Sequence, residues 1–456
     1  MSSPAQPPEP HRPRHPWRFR RRRFRNWFFL GLLYAGYYLC RYNLGIVSPE
    51  LRAEFGFSEQ QYGWISSARD GGYAIGQFVN GLFADGLGGK QAMAIGALGT
   101  IALNVLFGLT SGSGISWMLA ALVLVRLVDG YVQAFGAPGM MKVKTAWFER
   151  RERGGFSGIF GLMIQMGQIG AGQLGRLLLI GFTVPIVGWV VAGLHWRSMF
   201  FVPPAILLVL LVLMWLNVKN HPEEVGGTIR HDDLEQGADP HQRLPLGQVF
   251  RTTVRNPLAW VNAGAYFCTG FVRRGLEAWW VQYLLAVWHA DKRSAYYGWL
   301  VYVLPLAAVA GSLSAGYISD LVFRGRRSPI AALLYGMETV TILAAVWVLG
   351  FTVWAGPAVA CLFMALISFT CNSSHSIVGA AVVMDIGGRK MSGFTAGIID
   401  CFQYLGAIPA GVALGWCIQR FGWNALFVAM LPFSVLGAVL MSSIWVTTRG
   451  RDVKGA

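Results

Sequence analysis

Six arginines lie inside stretches of sequence that are otherwise apolar: Arg41, Arg69, Arg126, Arg176, Arg273 and Arg274. A charge at the middle of a bilayer costs about 2.5–3.5 kcal/mol on insertion scales, so each needs water, a partner or a ligand. Arg41 and Arg273 carry the clearest chemistry. A guanidinium is a planar fork that grips a phosphoryl or carboxylate group with two parallel hydrogen bonds, and two such forks suit a tetrahedral dianion. Tyr34, Tyr38 and Arg41 are spaced i, i+4, i+7 and share one helical face. That face is polar and aromatic, which points it at a cavity and away from lipid. The alternative for both arginines is an ion pair that locks a helical bundle. Glu277 stands one turn after Arg273, whereas no acid lies within a turn of Arg41.

Two acids share these surroundings. Asp70 lies on one face with Tyr73 and Gln77, and Asp400 lies one turn before Tyr404. They could balance surplus arginine, bind an amine on a substrate or carry protons, and the residues alone leave all three open. Of the three, pairing with a neighbouring arginine is the expectation for Asp70, and proton exchange suits Asp400 better. Arg274 either joins the site or bonds neighbouring helices. Arg126 and Asp129, at i and i+3, read as an intrahelical pair, with Gln133 extending their face. His375 reads as a hydrogen-bonded packing residue, with gating or binding as the alternative.

The elements that must position these residues are membrane helices. Of the 456 residues, 54% are hydrophobic and only 13% charged, with a mean hydropathy of +0.46. Soluble domains carry about 25% charged residues, so the composition excludes a disordered chain and argues against an ordinary soluble enzyme. Apolar runs long enough to cross a bilayer recur. They place twelve spans near 26–48, 60–84, 91–112, 115–139, 156–178, 197–218, 258–283, 296–318, 330–350, 354–380, 394–415 and 424–446. The stretch 179–195 either extends a helix or lies at the outer surface. Cys40, Cys268, Cys361, Cys371, Cys401 and Cys417 all fall in apolar segments, none at metal-ligand spacing, and read as packing residues. There is no phosphate-cradling Gly-x-x-x-x-Gly-Lys-Ser/Thr loop. No enzymatic activity, cofactor or metal is expected.

The net charge of +16 sits between the spans, which makes it a topology signal and argues against nucleic acid. With the N-terminus inside, inner segments hold 27 of the 38 Lys and Arg and outer segments hold 5. Such a split follows the positive-inside rule and places both termini in the cytoplasm. The chain also repeats. Gly81 to Asp85 closes the second span as Gly316 to Asp320 closes the eighth. Trp196 and Phe200 open the sixth as Trp423 and Phe427 open the twelfth. Arg41 follows Asn26 by the same interval as Arg273 follows Leu258. The expected organisation is a basic tail over 1–25, a six-helix bundle over 26–218, a linker over 219–257, a second bundle over 258–446 and a short tail over 447–456. The tail 1–25 is expected to be unstructured, given its Pro and Arg content. Two parallel halves with a site between them at mid-membrane is the plan of a rocking transporter.

The repeated Gly-x-x-x-Asp motif resembles the major facilitator superfamily. The segment Tyr34 to Asn43, Trp147-Phe148, Glu152 to Gly155, Pro222 with Gly226, Arg273-Arg-Gly275 and Tyr404-Leu-Gly406 resemble its organophosphate:phosphate antiporter family, over nearly the whole chain. The resemblance implies an all-α membrane protein of twelve transmembrane helices in two pseudo-symmetric bundles. It implies that Arg41 and Arg273 clamp a phosphoryl group and that Tyr34, Tyr38, Tyr73 and Tyr404 line the site. It makes Asp85 and Asp320 cytoplasmic gate acids. Two positions depart from the family: Gln77 replaces a lysine, and Ile164 replaces a histidine with Gln165 beside it. The implied function is alternating-access exchange of a small phosphorylated organic anion for inorganic phosphate. The expected setting is a bacterial inner membrane, with the protein a monomer and no nucleic-acid partner. A proton-coupled carrier of another polar solute, such as an organic acid or zwitterion, is the alternative that Asp70 and Asp400 motivate. A transport-fold sensor is a third.

Overall fold

The computed structural model describes residues 16–148, 153–183, 190–226, 255–323, 327–351 and 356–454; within these, the side chains of 81–86, 153–160, 183, 320, 351, 380–398 and 447–454 are outside the description. Twelve long helical segments follow one another. In the first half these are α1 (Trp17–Ile46), α2 (Glu59–Leu87), α3 (Gly89–Ser111), α4 (Met118–Gln133, resuming as Gly136–Trp147), α5 (Arg153–Ile180) and α6 (Val202–Asn217). In the second they are α7 (Pro257–Trp288), α8 (Ala295–Leu321), α9 (Arg327–Phe351), α10 (Pro357–Ser376), α11 (Val383–Phe421) and α12 (Leu431–Lys454).

Eight of these segments, some with the short turns that flank them, are both long and apolar enough to cross a membrane. The remaining four, α1, α2, α5 and α7, run 28 to 32 residues, well beyond the roughly 20 needed to span a bilayer. They are more polar because they carry Arg41, the Arg69–Asp70 pair, Gln165 with Gln168, and Arg273 with Arg274. The polarity that lowers their hydropathy is the polarity of the site.

The pairing of helices repeats between halves. In the first, α2 packs on α4, α1 on α5 and α6, and α3 on α4 and α6. In the second, α8 packs on α10, α7 on α11 and α12, and α9 on α10 and α12. Each pair recurs six helices later. The halves meet where α2 packs on α11 and where α5 packs on α8, which is the same relation read in both directions.

Local sequence explains the ends. Pro257 opens α7 at a position that needs no amide donor, and the Asn256 side chain accepts from the Leu258 amide at 3.0 Å. Ser294 caps α8 by accepting from the Tyr297 amide at 3.2 Å. Helix crossings depend on glycine. A Cβ on Gly130 of α4 would stand 1.9 Å from the Arg69 carbonyl oxygen of α2, and one on Gly63 of α2 would stand 2.3 Å from the Gly411 carbonyl oxygen of α11.

Three segments differ from the sequence reading. Helix α1 begins at Trp17, so the arginine run is helical from that point. Phe19 stacks on Trp147 at 6.0 Å, and Arg25 Nε donates to Asn217 Oδ1 at 2.5 Å, which holds the run against the bundle. Residues 385–393, read as a loop, continue helix α11 through the π-helical stretch Ile377–Val382. The stretch after α5 forms an antiparallel pair, β1 (Gly181–Thr183) with β2 (Val190–Ala192).

At the end of the bundle opposite the chain termini, the halves are bound by polar contacts. Lys292 pairs with Glu50, Arg52 Nη1 donates to Gln282 Oε1 at 2.7 Å, and the Tyr62 hydroxyl donates to the Ala278 carbonyl at 3.3 Å. Within the first half, Glu54 accepts from Trp196 Nε1 at 2.6 Å and from Arg197 Nη2 at 2.5 Å. Burial works against the Glu54 carboxylate, but the hydrogen bonds from Trp196 and Arg197 outweigh it and hold its pKa below the usual range.

Two expected outcomes follow from this packing. Gly130→Ala should cost about 1–3 kcal/mol through overpacking of the α2–α4 crossing, read as lower thermal stability in detergent. Because the Glu54 pKa is lowered on folding, its stabilising contribution is present above the unfolded carboxylate range and lost as pH falls through the folded value. Glu54→Gln should therefore melt lower than the wild type near pH 7, and the two should converge as pH falls through the lowered folded value.

Candidate functional site

Helices α1 and α7 occupy equivalent places in the two halves. Each carries a tyrosine seven residues before an arginine: Tyr34 before Arg41, and Tyr266 before Arg273. The two helices touch across the interface between halves.

Arg41 is 8% exposed. Its Nε donates to Gln133 Oε1 of α4 at 2.6 Å. Its guanidinium carbon lies 4.9 Å from the ring centroid of Tyr38 and 4.5 Å from that of Tyr73. A desolvated cation over an aromatic face gains about 2 kcal/mol or more. Tyr73 in turn packs on Tyr404 from the other half at 4.3 Å, and Tyr34 on Tyr38 at 5.8 Å. Among the described residues no carboxylate comes within ion-pair distance of Arg41; its positive charge is held by an amide and aromatic faces.

Arg273 is held differently. Its Nε donates to Glu277 Oε1 at 3.2 Å, and its Nη1 lies 3.4 Å from His375 Nε2. A guanidinium has only donors, so His375 Nε2 accepts. That assigns the ring proton to Nδ1, which faces the Tyr266 hydroxyl at 2.9 Å. His375 is therefore hydrogen-bonded, as expected, but its partners are site residues. A cleft beside Arg273 is lined by Gln165, Gln168, Glu277, Ser368 and Asn372. Tyr38 and Tyr404 lie within Coulombic range of both arginines, so the two guanidiniums and the tyrosines form one cluster.

Asp70 is 1% exposed and doubly paired. Its Oδ1 accepts from Arg69 Nη2 at 2.5 Å, and its Oδ2 accepts from Arg274 Nε at 2.6 Å. The second bond joins α2 of one half to α7 of the other. Arg274 Nη2 also donates to Ser66 Oγ at 3.2 Å. Arg274 thus bonds a neighbouring helix through Asp70, which lies between two guanidiniums. A further link between halves runs from Gln77 Nε2 to Asp400 Oδ2 at 3.0 Å. Arg126 and Asp129 form their intrahelical pair at 3.0 Å.

Of the residues singled out in the sequence, Arg41, Tyr34, Tyr38, Tyr73 and Tyr404 converge, with Arg273 and Gln165 at the adjoining cleft and Gln77 bonded to Asp400. The side chains of Asp85 and Asp320 lie outside the described residues. Tyr266, Gln168, Ser368 and Asn372 were not singled out. Tyr266 was signalled by its spacing from Arg273, which matches that of Tyr34 from Arg41. Ser368 and Asn372 share a face of α10 but sit in an apolar helix with no charged neighbour to draw attention. Among the described residues, no cluster of three His, Cys, Asp or Glu side chains could hold a metal ion.

A helical membrane protein of two repeated bundles, with a buried cationic cluster between them, is the class that fold and site define. Residues 30–337 match the Major Facilitator Superfamily. A glycerol-3-phosphate transporter of Bacillus subtilis (strain 168) is 26% identical over 93% of this chain and 93% of its own. A probable hexose phosphate transport protein of Chlamydia trachomatis is 25% identical over 93% and 91%. The fold is shared with the crystal structure of a bacterial homologue of the human lysosomal transporter Spinster, inward-facing and unoccupied, at a TM-score of 0.68 and 16% identity over 92% of this chain and 96% of that one. The chain belongs to the Major Facilitator Superfamily.

The buried link between halves generates a measurable expectation. Removing one partner of a buried ion pair costs about 3–5 kcal/mol. Asp70→Asn should lower stability on that scale. In a double-mutant cycle with Arg274→Gln, the two losses should be less than additive, since either change breaks the same bond.

Proposed function

We propose that this protein moves a small phosphorylated organic anion across the membrane in exchange for inorganic phosphate, by alternating access. The observation that carries the reading is Arg41: a buried cation with neutral partners, set among four tyrosines, two of which also neighbour Arg273. An anion with two or more acceptor oxygens would supply the missing charge. Its phosphoryl group would sit between Arg41 and Arg273, taking the Glu277 bond to Arg273 as its own, with Tyr34, Tyr38, Tyr73 and Tyr404 donating or packing around it. Both relatives described above are phosphate-ester transporters by name, which favours a phosphate ester over a carboxylate.

The exchange mechanism follows from the charge. With no anion bound, rocking the halves would carry an uncompensated guanidinium through a low-dielectric barrier. With an anion bound, the cluster is neutralised and the halves are drawn together. Asp70–Arg274 and Gln77–Asp400 are the contacts between halves that must shift during that motion. In the membrane, the positive-inside distribution puts the termini in the cytoplasm, so the end closed by Lys292–Glu50 and Arg52–Gln282 faces outward. Gate roles for Asp85 and Asp320 belong to the same scheme, as does the bacterial inner membrane as its setting.

A second reading, proton-coupled transport of another polar solute, is favoured by one observation. Both carboxylate oxygens of Glu338, buried in α9, have no hydrogen-bond partner among the described residues. Such a group is a place where a proton can reside.

Proteoliposomes loaded with phosphate separate the two. Uptake of labelled phosphate should proceed by exchange with the proton gradient collapsed; uptake that requires a pH gradient would select the second reading. Arg41→Lys or Arg273→Lys should reduce exchange at least tenfold while the protein stays folded, because the charge is kept and the bidentate fork is lost.

A further inference from the structure

We propose that the Asp400 carboxylate, beside the Gln77 amide and Tyr404, receives an ammonium group on the substrate, so that the transported ester is a zwitterionic aminoalkyl or amino-sugar phosphate. This rests on the phosphate-ester reading and narrows it.

Asp400 differs from the other acids of the cluster in its partner. Asp70 is closed off by two guanidiniums and Glu277 lies against Arg273, but the hydrogen bond to Asp400 Oδ2 comes from a neutral amide. Glutamine orients the carboxylate without neutralising it; a lysine at position 77 would do both. Asp400 is also half-buried and keeps exposed surface, whereas Asp70 keeps almost none. Tyr404 lies one turn after Asp400 on α11, and Tyr73 one turn before Gln77 on α2, with their rings 4.3 Å apart. The Tyr73 ring is taken by Arg41, so Tyr404 is the aromatic neighbour left to an alkylammonium paired with Asp400. Both Arg273 and Arg41 act electrostatically on Asp400, which puts its carboxylate in the same charge cluster as the phosphoryl position.

Charge balance points the same way. Among the described residues, the cluster holds four guanidiniums, Arg41, Arg69, Arg273 and Arg274, against three carboxylates, Asp70, Glu277 and Asp400; Arg126 and Asp129 cancel each other. One positive charge is left over. An ester with a doubly ionised phosphoryl group and one ammonium carries one negative charge and cancels it. A plain ester dianion overshoots by one in a place where surplus charge is costly. Monoanionic inorganic phosphate has the same charge as the zwitterionic ester. The two would exchange one for one with no net charge moved.

The test uses purified full-length protein and two probes of nearly equal shape, 2-aminoethyl phosphate and 2-hydroxyethyl phosphate, each titrated by calorimetry. The expected result is at least tenfold tighter binding of the amine, equal to about 1.4 kcal/mol, with the ratio falling to about one in Asp400→Asn. Equal binding of the two by the wild type overturns the inference while leaving the phosphate-ester reading standing. Preference for the amine that survives Asp400→Asn overturns the assignment to Asp400. Failure of both probes and of inorganic phosphate to bind overturns the inference together with the reading it rests on. The wild-type ratio decides even if the variant does not fold.

Discussion

A guanidinium inside an apolar bundle must be matched by opposite charge, hydrogen-bond acceptors or π-faces, because the lipid supplies none of them. That constraint organises this molecule. Arg126 is matched within its own helix by Asp129. Arg69 and Arg274 are matched by a single carboxylate, Asp70, which belongs to one half while Arg274 belongs to the other. Arg273 is matched one turn along by Glu277. Arg41 has an amide and two aromatic faces. The series runs from carboxylate pairing to an arginine held by neutral groups, and in the proposed function that last position is where an anion would contribute most.

The same constraint explains why the two halves are held by bonds that can be exchanged. A contact made wholly of interlocked apolar side chains would fix the halves in one arrangement. Here the meeting of α2 with α7 and α11 is made of close glycine crossings together with Asp70–Arg274 and Gln77–Asp400. Glycine lets the backbones slide, since small residues leave little to disengage. The polar bonds give the interface a preferred register that substrate charge is able to alter. In the proposed function, a site placed at that register would sense its ligand and transmit its presence in one step.

Much of this was legible in the sequence, for identifiable reasons. Membrane helices leave a strong trace because a run of about twenty apolar residues matches the thickness of the hydrocarbon core, and the recurrence of Trp196 and Phe200 as Trp423 and Phe427 marked the two halves. Arg41 with Tyr34 and Tyr38 was readable because all three lie on one helix, where spacing fixes the shared face. Arg69, Arg126 and Arg274 were all readable as candidate partners of Asp70; that Arg69 and Arg274 share it while Arg126 pairs with Asp129 was not, since nothing in the chain states how α2 meets α7. Gln77 and Asp400 lay far apart in sequence and became one element only in three dimensions. The start of α1 at Trp17 was missed because an arginine run reads as solvated, yet Phe19 and Arg25 have partners on α4 and α6 that hold it helical.

The central claim is that Arg41 is an uncompensated cation waiting for an anion, and the thermal response of purified protein to inorganic phosphate tests it most directly. A ligand that binds the folded state raises its stability in proportion to the logarithm of ligand concentration beyond its dissociation constant. The account requires phosphate to raise the melting temperature of the wild type progressively. It also requires Arg41→Gln, where the anion's guanidinium partner is gone, to lose the response to phosphate. A wild type indifferent to phosphate, or an Arg41→Gln variant that responds as strongly as the wild type, would contradict it.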